Sequence, residues 1–126
     1  MILDMNPHSI KEAKDLGFLS LVGDARYADV LEHVGTERIE LIAITIPDPK
    51  DVAQITSLAR SLAPNADIVA RARYHNAHPL IAAAGAHIVV DEEQSVGHQI
   101  AISARSLLAA EELTGDPAKS PRSDSD

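Results

Sequence analysis

The sequence contains no cysteine and no tryptophan, and its aromatic residues are limited to one phenylalanine and two tyrosines. Without cysteine there is no disulfide, no thiolate nucleophile and no thiolate metal ligand, which fits a reducing compartment. With so few aromatic residues, the core has to be built from Ile, Val, Leu and Ala. That aliphatic composition is typical of strands covered by helices on both faces.

Basic residues are also scarce, since 11 Lys and Arg stand against 19 Asp and Glu, for a formal net charge of −8. An acidic surface repels phosphates, so nucleic acid and an anionic membrane surface are disfavoured as partners. No apolar run approaches the roughly 18 residues of a membrane span. The N-terminus also lacks the basic-then-apolar plan of a signal peptide. We therefore expect a soluble, cytoplasmic chain without direct membrane insertion.

A glycine-rich phosphate-binding turn is missing as well, because none of the six glycines forms a Gly-x-Gly pair. In dinucleotide-binding folds this turn comes about 20 residues before a strand-end carboxylate that binds a ribose. Asp4 ends an apolar segment in that way, but no such turn stands before it in the sequence. No local catalytic motif such as Gly-x-Ser-x-Gly is present. We assign no catalytic residue and expect a protein that is not an enzyme.

Strand and helix patterns alternate along the chain, which predicts an α/β fold with a parallel sheet and helices on both faces. Predicted strands cover residues 2–4, 18–22, 39–46, 67–72 and 87–90, and predicted helices cover residues 7–16, 25–34, 49–62, 76–84 and 94–113. Asn6 and Asp48, each followed by proline, are predicted helix N-caps. Residues 1–113 form one predicted domain, and residues 114–126, without apolar anchors, form a predicted disordered tail.

Four stretches together carry a family resemblance. They are Ile2-Leu3-Asp4 with Asn6-Pro7, Leu21-Val22-Gly23-Asp24-Ala25, Ile44-Thr45-Ile46-Pro47-Asp48-Pro49, and Ile68-Val69-Ala70-Arg71-Ala72-Arg73. In this order and spacing they resemble the regulator-of-conductance (RCK) or Trk-type nucleotide-binding domain, most of all that of Kef-type cation/proton antiporters. The resemblance covers about residues 1–110. It implies a Rossmann-like sheet that lacks the family's first strand, glycine-rich loop and first helix.

The same resemblance implies a function and a site. The function is that of a cytoplasmic regulatory domain of a potassium or cation transport system, in a homodimer or larger homo-oligomer, with a membrane cation transporter as partner. The implied ligand is NAD(H), AMP or ATP, bound weakly or not at all because the pyrophosphate site is missing. The implied contacts are Asp4 with the ribose, Gly23, Asp24 and Ala25 with the adenine, Thr45, Ile46 and Pro47 at the crevice, and Arg71 with the phosphates or a neighbouring effector.

The missing strand is the central one of the usual 3-2-1-4-5-6 order. Its loss separates the first two strands from the last three. It leaves a predicted row of buried backbone groups without partners, at a cost of about 1–3 kcal/mol each. Three outcomes are open: the two parts pair directly, another chain donates a strand, or the fold is marginal. Met1 could equally be an internal methionine of a longer protein.

Two other functions remain open from the residues alone. One is a flavodoxin-like receiver or small-ligand-binding domain, with strand order 2-1-3-4-5 and an acidic pocket formed by Asp4, Asp24 and Asp48. The other is a degenerate NAD-dependent oxidoreductase, for which no hydride-transfer residues can be named.

Several charged residues have a local interpretation beside the functional one. Asp24 is predicted to cap the following helix. Arg71 and Arg73 would share a strand face, either as an anion site or in salt bridges with acidic side chains. His75 and His78 lack a third ligand in the nearby sequence, so we assign no metal site. The acidic residues 91–93 are predicted to interact with the positive end of the last helix.

Overall fold

The computed structural model describes residues 1–35 and 38–114, and these fall into two compact units that divide between Glu92 and Glu93. The elements, in chain order, are β1 (Ile2–Asp4), α1 (Pro7–Asp15), β2 (Ser20–Val22), α2 (Ala28–Val34), β3 (Leu41–Ile44), α3 (Pro49–Leu62), β4 (Asp67–Ala72), a 3₁₀ turn (His75–Ala77), α4 (His78–Ala83), β5 (Ile88–Asp91) and α5 (Glu92–Thr114). None of the helices in the described ranges is both long enough and apolar enough to cross a membrane.

The five strands form two parallel sheets rather than one. β1 pairs with β2, while β3, β4 and β5 form a three-stranded sheet in that order. The predicted Rossmann-like α/β architecture is confirmed, and the break falls where the sequence places the missing strand. Of the three predicted outcomes, direct pairing of the two parts is not the one observed, because in the described residues β1 and β3 share no ladder.

The core of the first unit lies between α3 and the three-stranded sheet. Val52, Ile55 and Ala59 on α3 recur at helical spacing and are buried together with Ile68 on β4 and Ile81 on α4. On β4 the other buried positions are alanines, whose small side chains leave room for the bulkier aliphatic residues of the helices. Burial of the aliphatic side chains on this stripe is the main source of stability.

Helix ends follow the local sequence. Asn6 accepts a hydrogen bond from the backbone N–H of His8 at 3.0 Å, and Asp48 accepts from those of Lys50 and Asp51 at 3.0 Å each. Both predicted N-caps are thereby confirmed. Gly35 ends α2 in the left-handed conformation, with φ of 78°, which glycine adopts without steric cost.

The predicted cap at Asp24 is wrong. α2 begins at Ala28, and the residue at its N-cap position is Tyr27, whose side chain makes no capping hydrogen bond. Asp24 instead accepts from the backbone N–H of Arg26 at 3.0 Å, two residues on, in an Asx-type turn. This turn therefore contains residues that the sequence pattern predicted to be helical.

Two strands are shorter than the apolar runs that predict them. β2 begins at Ser20 and not at residue 18, and β3 covers four residues where the run covers eight. Glu92 and Glu93 form the first turn of α5, where carboxylates interact favourably with the helix N-terminus. The predicted tail, residues 114–126, begins one residue too early, because Thr114 is the last residue of α5. The rest of that tail, residues 115–126, and residues 36–37 lie outside the described residues.

Candidate nucleotide site and the adjacent groove

The predicted site residues lie at the carboxyl ends of four strands, which is where open parallel sheets bind ligands. Asp4 ends β1, Gly23 follows β2, Thr45 follows β3 and Arg71 is next to last on β4. The N–H of Gly23 donates to the carbonyl of Asp4 at 3.0 Å, which joins the first two of these strand ends.

Asp4 and Gly23 have clear local roles. The Asp4 carboxylate accepts from the backbone N–H of Asn6 at 2.8 Å and so fixes the turn into α1. A Cβ on Gly23 would lie 2.9 Å from Val30 Cγ1 and 3.0 Å from Leu3 Cδ1, so glycine is needed for α2 to pack closely on β1. These roles explain both residues without a ligand, and a ligand contact would come in addition.

Asp24 is the partner of Arg26. Nη2 of Arg26 lies 2.7 Å from Oδ2 of Asp24, and its Nη1 lies 3.7 Å from the carboxylate of Asp51 on α3. The hydrogen bonds from Arg26 hold the pKa of Asp24 below its ordinary value. The same hydrogen bond to Asp24, with the charges of Asp24 and Asp51, raises the pKa of Arg26. The carboxylate beside the proposed adenine position is therefore already engaged.

Arg71 is also engaged. Its Nε and Nη2 each lie 2.6 Å from Oε2 of Glu92, and its Nη1 donates to the carbonyl of Thr45 at 3.0 Å. The salt-bridge alternative for Arg71 is thus the observed one. Arg73 lies beyond the end of β4, with its guanidinium carbon 5.5 Å from the ring centroid of Tyr74. The expectation that both arginines lie on the strand is wrong, because β4 ends at Ala72, between them.

An apolar groove of about 280 Å³ lies between β1 and β3. Its lining is almost wholly aliphatic: Met1, Leu3, Ala25, Leu31, Val34, Ile39, Leu41, Ile42, Ala43, Ile44, Thr45, Ile46, Ile55 and Ala59. Three predicted site residues, Ala25, Thr45 and Ile46, are among them, whereas the charged ones are not. The composition gave no sign of this groove, since only the break between the two sheets creates it.

Residues 1–92 match the family model described as the TrkA-N domain. The match covers most of the chain and the whole of the first unit. The chain belongs to the TrkA-N domain family.

This TrkA-N domain is similar to part of a much longer curated protein. It is 34% identical over 73 residues to the glutathione-regulated potassium-efflux system protein KefC of Salmonella paratyphi B, and KefC of Salmonella newport matches equally well. The match takes in 58% of this chain but 12% of KefC. The chain therefore spans a small fraction of the curated relatives it matches.

Solved structures show the same fold. The TrkA-N domain of the inner membrane protein ybaL from Escherichia coli superposes with a TM-score of 0.73 at 23% identity, over 78% of this chain and 73% of that one. The RCK domain of GsuK gives 0.60 at 32% identity, over 67% and 18%. The GsuK channel bound to NAD gives 0.63 at 24%, over 70% and 16%, and GsuK bound to ADP gives the same score and identity over 70% and 23%.

The acidic pocket of the receiver alternative is not formed in this TrkA-N domain. Asp4, Asp24 and Asp48 each accept hydrogen bonds from residues two or three positions away, and their side chains serve three separate turns. Within residues 1–35 and 38–114, no three His, Asp or Glu side chains are grouped so as to hold a metal ion.

Sequence reasoning missed one contact at the strand ends of this TrkA-N domain. Nδ1 of His75 contacts Oδ2 of Asp91, whose side chain is 5% exposed. The register pairs Ala72 with Asp91, so both partners lie close to the carboxyl ends of neighbouring strands. The two partners are 16 positions apart, so residue spacing does not reveal this contact. The order of the predicted strands is the feature that could have indicated it.

Proposed function

We propose that this TrkA-N domain is a cytoplasmic, non-enzymatic regulatory domain of a potassium or other cation transport system, peripheral to the inner membrane through a transporter partner. The observation that carries the proposal is the TrkA-N match over residues 1–92. Similarity to KefC, a glutathione-regulated potassium-efflux protein, supports potassium as the transported ion. Ligand or redox state would regulate transport by favouring one of two domain arrangements, because the two arrangements differ in binding free energy.

The ligand in this proposal is an adenine nucleotide, NAD(H), AMP or ATP. It would lie at the carboxyl ends of the strands, with Asp4 at the ribose, residues 23–25 at the adenine, residues 45–47 at the crevice and Arg71 at the phosphates. GsuK, which shares this fold, is known bound to NAD and to ADP, and that supports the choice of ligand.

Nucleotide affinity is proposed to be weak, because the charged groups at the strand ends already have partners within the domain. The carboxylates of Asp4 and Asp24 accept backbone hydrogen bonds, and Asp24 and Arg71 each take part in an ion pair. A nucleotide must displace or share these interactions. The sequence also lacks the Gly-x-Gly turn that would hold the pyrophosphate.

Isothermal titration calorimetry with NADH, NAD⁺, AMP and ATP tests the affinity. We expect dissociation constants above about 1 mM, equivalent to binding weaker than about −4.1 kcal/mol. Micromolar binding of any of the four nucleotides would contradict the proposed weakness while supporting the site. Chemical shift changes confined to residues 4, 23–25, 45–47 and 71 at high nucleotide concentration would identify the site even when affinity is low.

Potassium retention in cells tests the regulatory role. Deleting the gene for this chain should change the rate of potassium loss, and the unaltered chain supplied from a plasmid should restore it. Lys14→Gln, a surface change on α1, is the matched control and should restore the rate equally well. An unchanged rate of potassium loss in the deletion strain would contradict the transport assignment.

We further propose that the domain works as a homodimer. Large apolar side chains on α5, among them Val96, Ile100 and Leu107, are exposed at 52%, 64% and 70%. Exposed aliphatic side chains of this size are typical of surfaces that associate. Sedimentation equilibrium should give twice the monomer mass, and a stable monomer across the micromolar range would contradict the proposal.

A further inference from the structure

Both oxygens of the Asp24 carboxylate are occupied by one neighbouring residue. Oδ1 accepts from the backbone N–H of Arg26 and from Nε of Arg26, each at 3.0 Å. Oδ2 accepts from Nη2 of Arg26 at 2.7 Å and shares the Nε hydrogen at 3.1 Å. A carboxylate has about two acceptor positions on each oxygen, so Arg26 leaves Asp24 little capacity to accept from another donor.

Arg26 is held in this position from α3. Its Nη1 lies 3.7 Å from Oδ1 of Asp51, in the first turn of that helix, and Nε2 of Gln54 donates to its backbone carbonyl at 3.3 Å. The side chain of Asp24 is 20% exposed. At such a partly buried site, a bidentate arginine–carboxylate pair is stronger than an exposed ion pair with a single contact.

A free carboxylate beside a purine would distinguish adenine from hypoxanthine. Adenine carries an amino group at C6, which donates hydrogen bonds, whereas an oxo-purine carries an oxygen there, which accepts them. A carboxylate binds the amino group and repels the oxygen. Asp24 lies beside the proposed adenine position, so its pairing with Arg26 removes the contact that would favour adenine.

We propose that Arg26 sets the base specificity of this domain by occupying Asp24, so that adenine nucleotides are not preferred over hypoxanthine nucleotides. Arg26 is a positioning residue in this inference, because it acts on the base through Asp24. The inference rests on the proposed nucleotide site and adds to it the residue that controls which base is selected.

The competition for Asp24 favours Arg26 over the base. Arg26 is charged and is tethered two residues away, whereas the amino group of adenine is neutral and comes from solution. In addition, Nη1 of Arg26 is a donor, which matches the oxygen of hypoxanthine and not the amino group of adenine. Both effects reduce the preference for adenine.

Nuclear magnetic resonance titrations of the whole chain with AMP and IMP test the inference. The two nucleotides share the ribose and the phosphate and differ in the base, so the ratio of their dissociation constants cancels changes in phosphate binding. The amide shifts of residues 23–25 report binding. We expect the unaltered domain to bind AMP no more than about twofold more tightly than IMP, because the base forms no hydrogen bond with a charged acceptor.

Arg26→Ala releases the carboxylate of Asp24. AMP should then bind at least about fivefold more tightly than IMP, as expected for one hydrogen bond to a charged acceptor at a partly exposed site. Adding Asp24→Ala to this variant should return the ratio to that of the unaltered domain, because the acceptor is gone.

Two further variants make the test specific. Arg26→Lys keeps the positive charge, but an ammonium group cannot hold both carboxylate oxygens as a guanidinium does, so the preference for AMP should rise at least about twofold. This variant tests the inference even when Arg26→Ala does not fold. Arg105→Ala makes the same substitution at an exposed position of α5 and should leave the ratio unchanged.

Three results would overturn the inference and leave the nucleotide site in place. They are a fivefold or greater preference for AMP in the unaltered domain, an unchanged ratio in both Arg26→Ala and Arg26→Lys, or the same change of ratio in Arg105→Ala. If neither nucleotide shifts the amides of residues 23–25 in any variant, the proposed site itself is contradicted, and the inference with it.

Discussion

The guanidinium of Arg71 lies 2.6 Å from the carboxylate of Glu92 and donates at 3.0 Å to the carbonyl of Thr45. One side chain thus links the end of β4 to the end of β3 and to the first turn of α5. Arg71 is proposed to bind a nucleotide phosphate, but its positive charge is already balanced by Glu92 within the domain. Removing the charge of Glu92 should therefore change the affinity for a nucleotide.

Replacing Glu92 with Gln should strengthen AMP binding by about three- to tenfold, or up to about 1.4 kcal/mol, because Arg71 then keeps an uncompensated charge. Both side chains are more than a third exposed, so the free energy of unfolding should change by about 1 kcal/mol at most. Calorimetry with AMP measures the first quantity and urea unfolding the second.

The control for this experiment is Asp15→Asn, which changes the net charge equally. Asp15 pairs with Lys11 at 3.1 Å on the surface of α1. It should leave AMP binding unchanged. If both variants raise the affinity to the same extent, net charge is the cause and the role of Arg71 is contradicted.

Gly85→Ala should destabilise the domain by about 1–3 kcal/mol, because Gly85 has φ of +115° and an added Cβ would lie 3.2 Å from Cγ of Arg60. Arg60 itself is held in place, since its guanidinium donates to the carbonyls of Pro64, Ala66 and Gly85 at 2.8–3.1 Å. It has little freedom to move aside. Urea unfolding measures the loss.

Gly97→Ala is the matched substitution with the opposite expected sign. Gly97 lies inside α5, and an added Cβ would meet nothing within 4 Å. Alanine should stabilise this helix by about 0.5–1 kcal/mol, seen as increased helicity by circular dichroism. A stabilising effect of Gly85→Ala would show that the loop before β5 relaxes without strain.

The Asp24–Arg26 pair should make stability depend on pH in the acid range. The pKa of Asp24 is lowered from 3.8 by its hydrogen bonds with Arg26, so the folded state favours the carboxylate. Its contribution is complete above the unfolded pKa of 3.8 and is lost as the pH falls through the lower folded pKa. The stability difference between the unaltered protein and Asp24→Asn should therefore be larger at pH 6 than at pH 2.

Urea unfolding at a series of pH values measures that difference. Asp15→Asn is the control, because Asp15 forms an exposed ion pair with Lys11, one helical turn away. The Asp24→Asn difference should follow the titration of one carboxyl group. A difference that stays constant from pH 6 to pH 2 would show that the charge of Asp24 adds nothing to stability.

Features that depend on neighbouring residues were predictable from the sequence. The caps at Asn6 and Asp48 need only backbone groups two or three residues away, and glycine at position 35 provides a left-handed residue at the helix end. The cap predicted at Asp24 failed for a related reason. Its acceptor oxygens are engaged by Arg26, and a single sequence does not show which of two nearby donors is preferred.

The charged residues at the strand ends show where prediction from sequence stopped. Arg71 was correctly placed near the end of a strand, but its partner Glu92 is 21 positions away. His75 and Asp91 were considered as separate candidates, although the register of β4 and β5 places them in contact. Contacts of this kind depend on strand order, which local patterns do not encode.

By itself, the sequence determined the alternation of strands and helices and the caps at Asn6 and Asp48, because these depend on short-range pattern, and four short stretches carried the resemblance to the family. Only the tertiary structure decided which strand edges pair, that two sheets flank an aliphatic groove, and that Arg71 is neutralised by Glu92. The physical reason is that edge pairing and ion pairing are chosen by packing between distant segments. A strand's sequence fixes which side chains it presents, whereas its neighbours fix what its backbone bonds to.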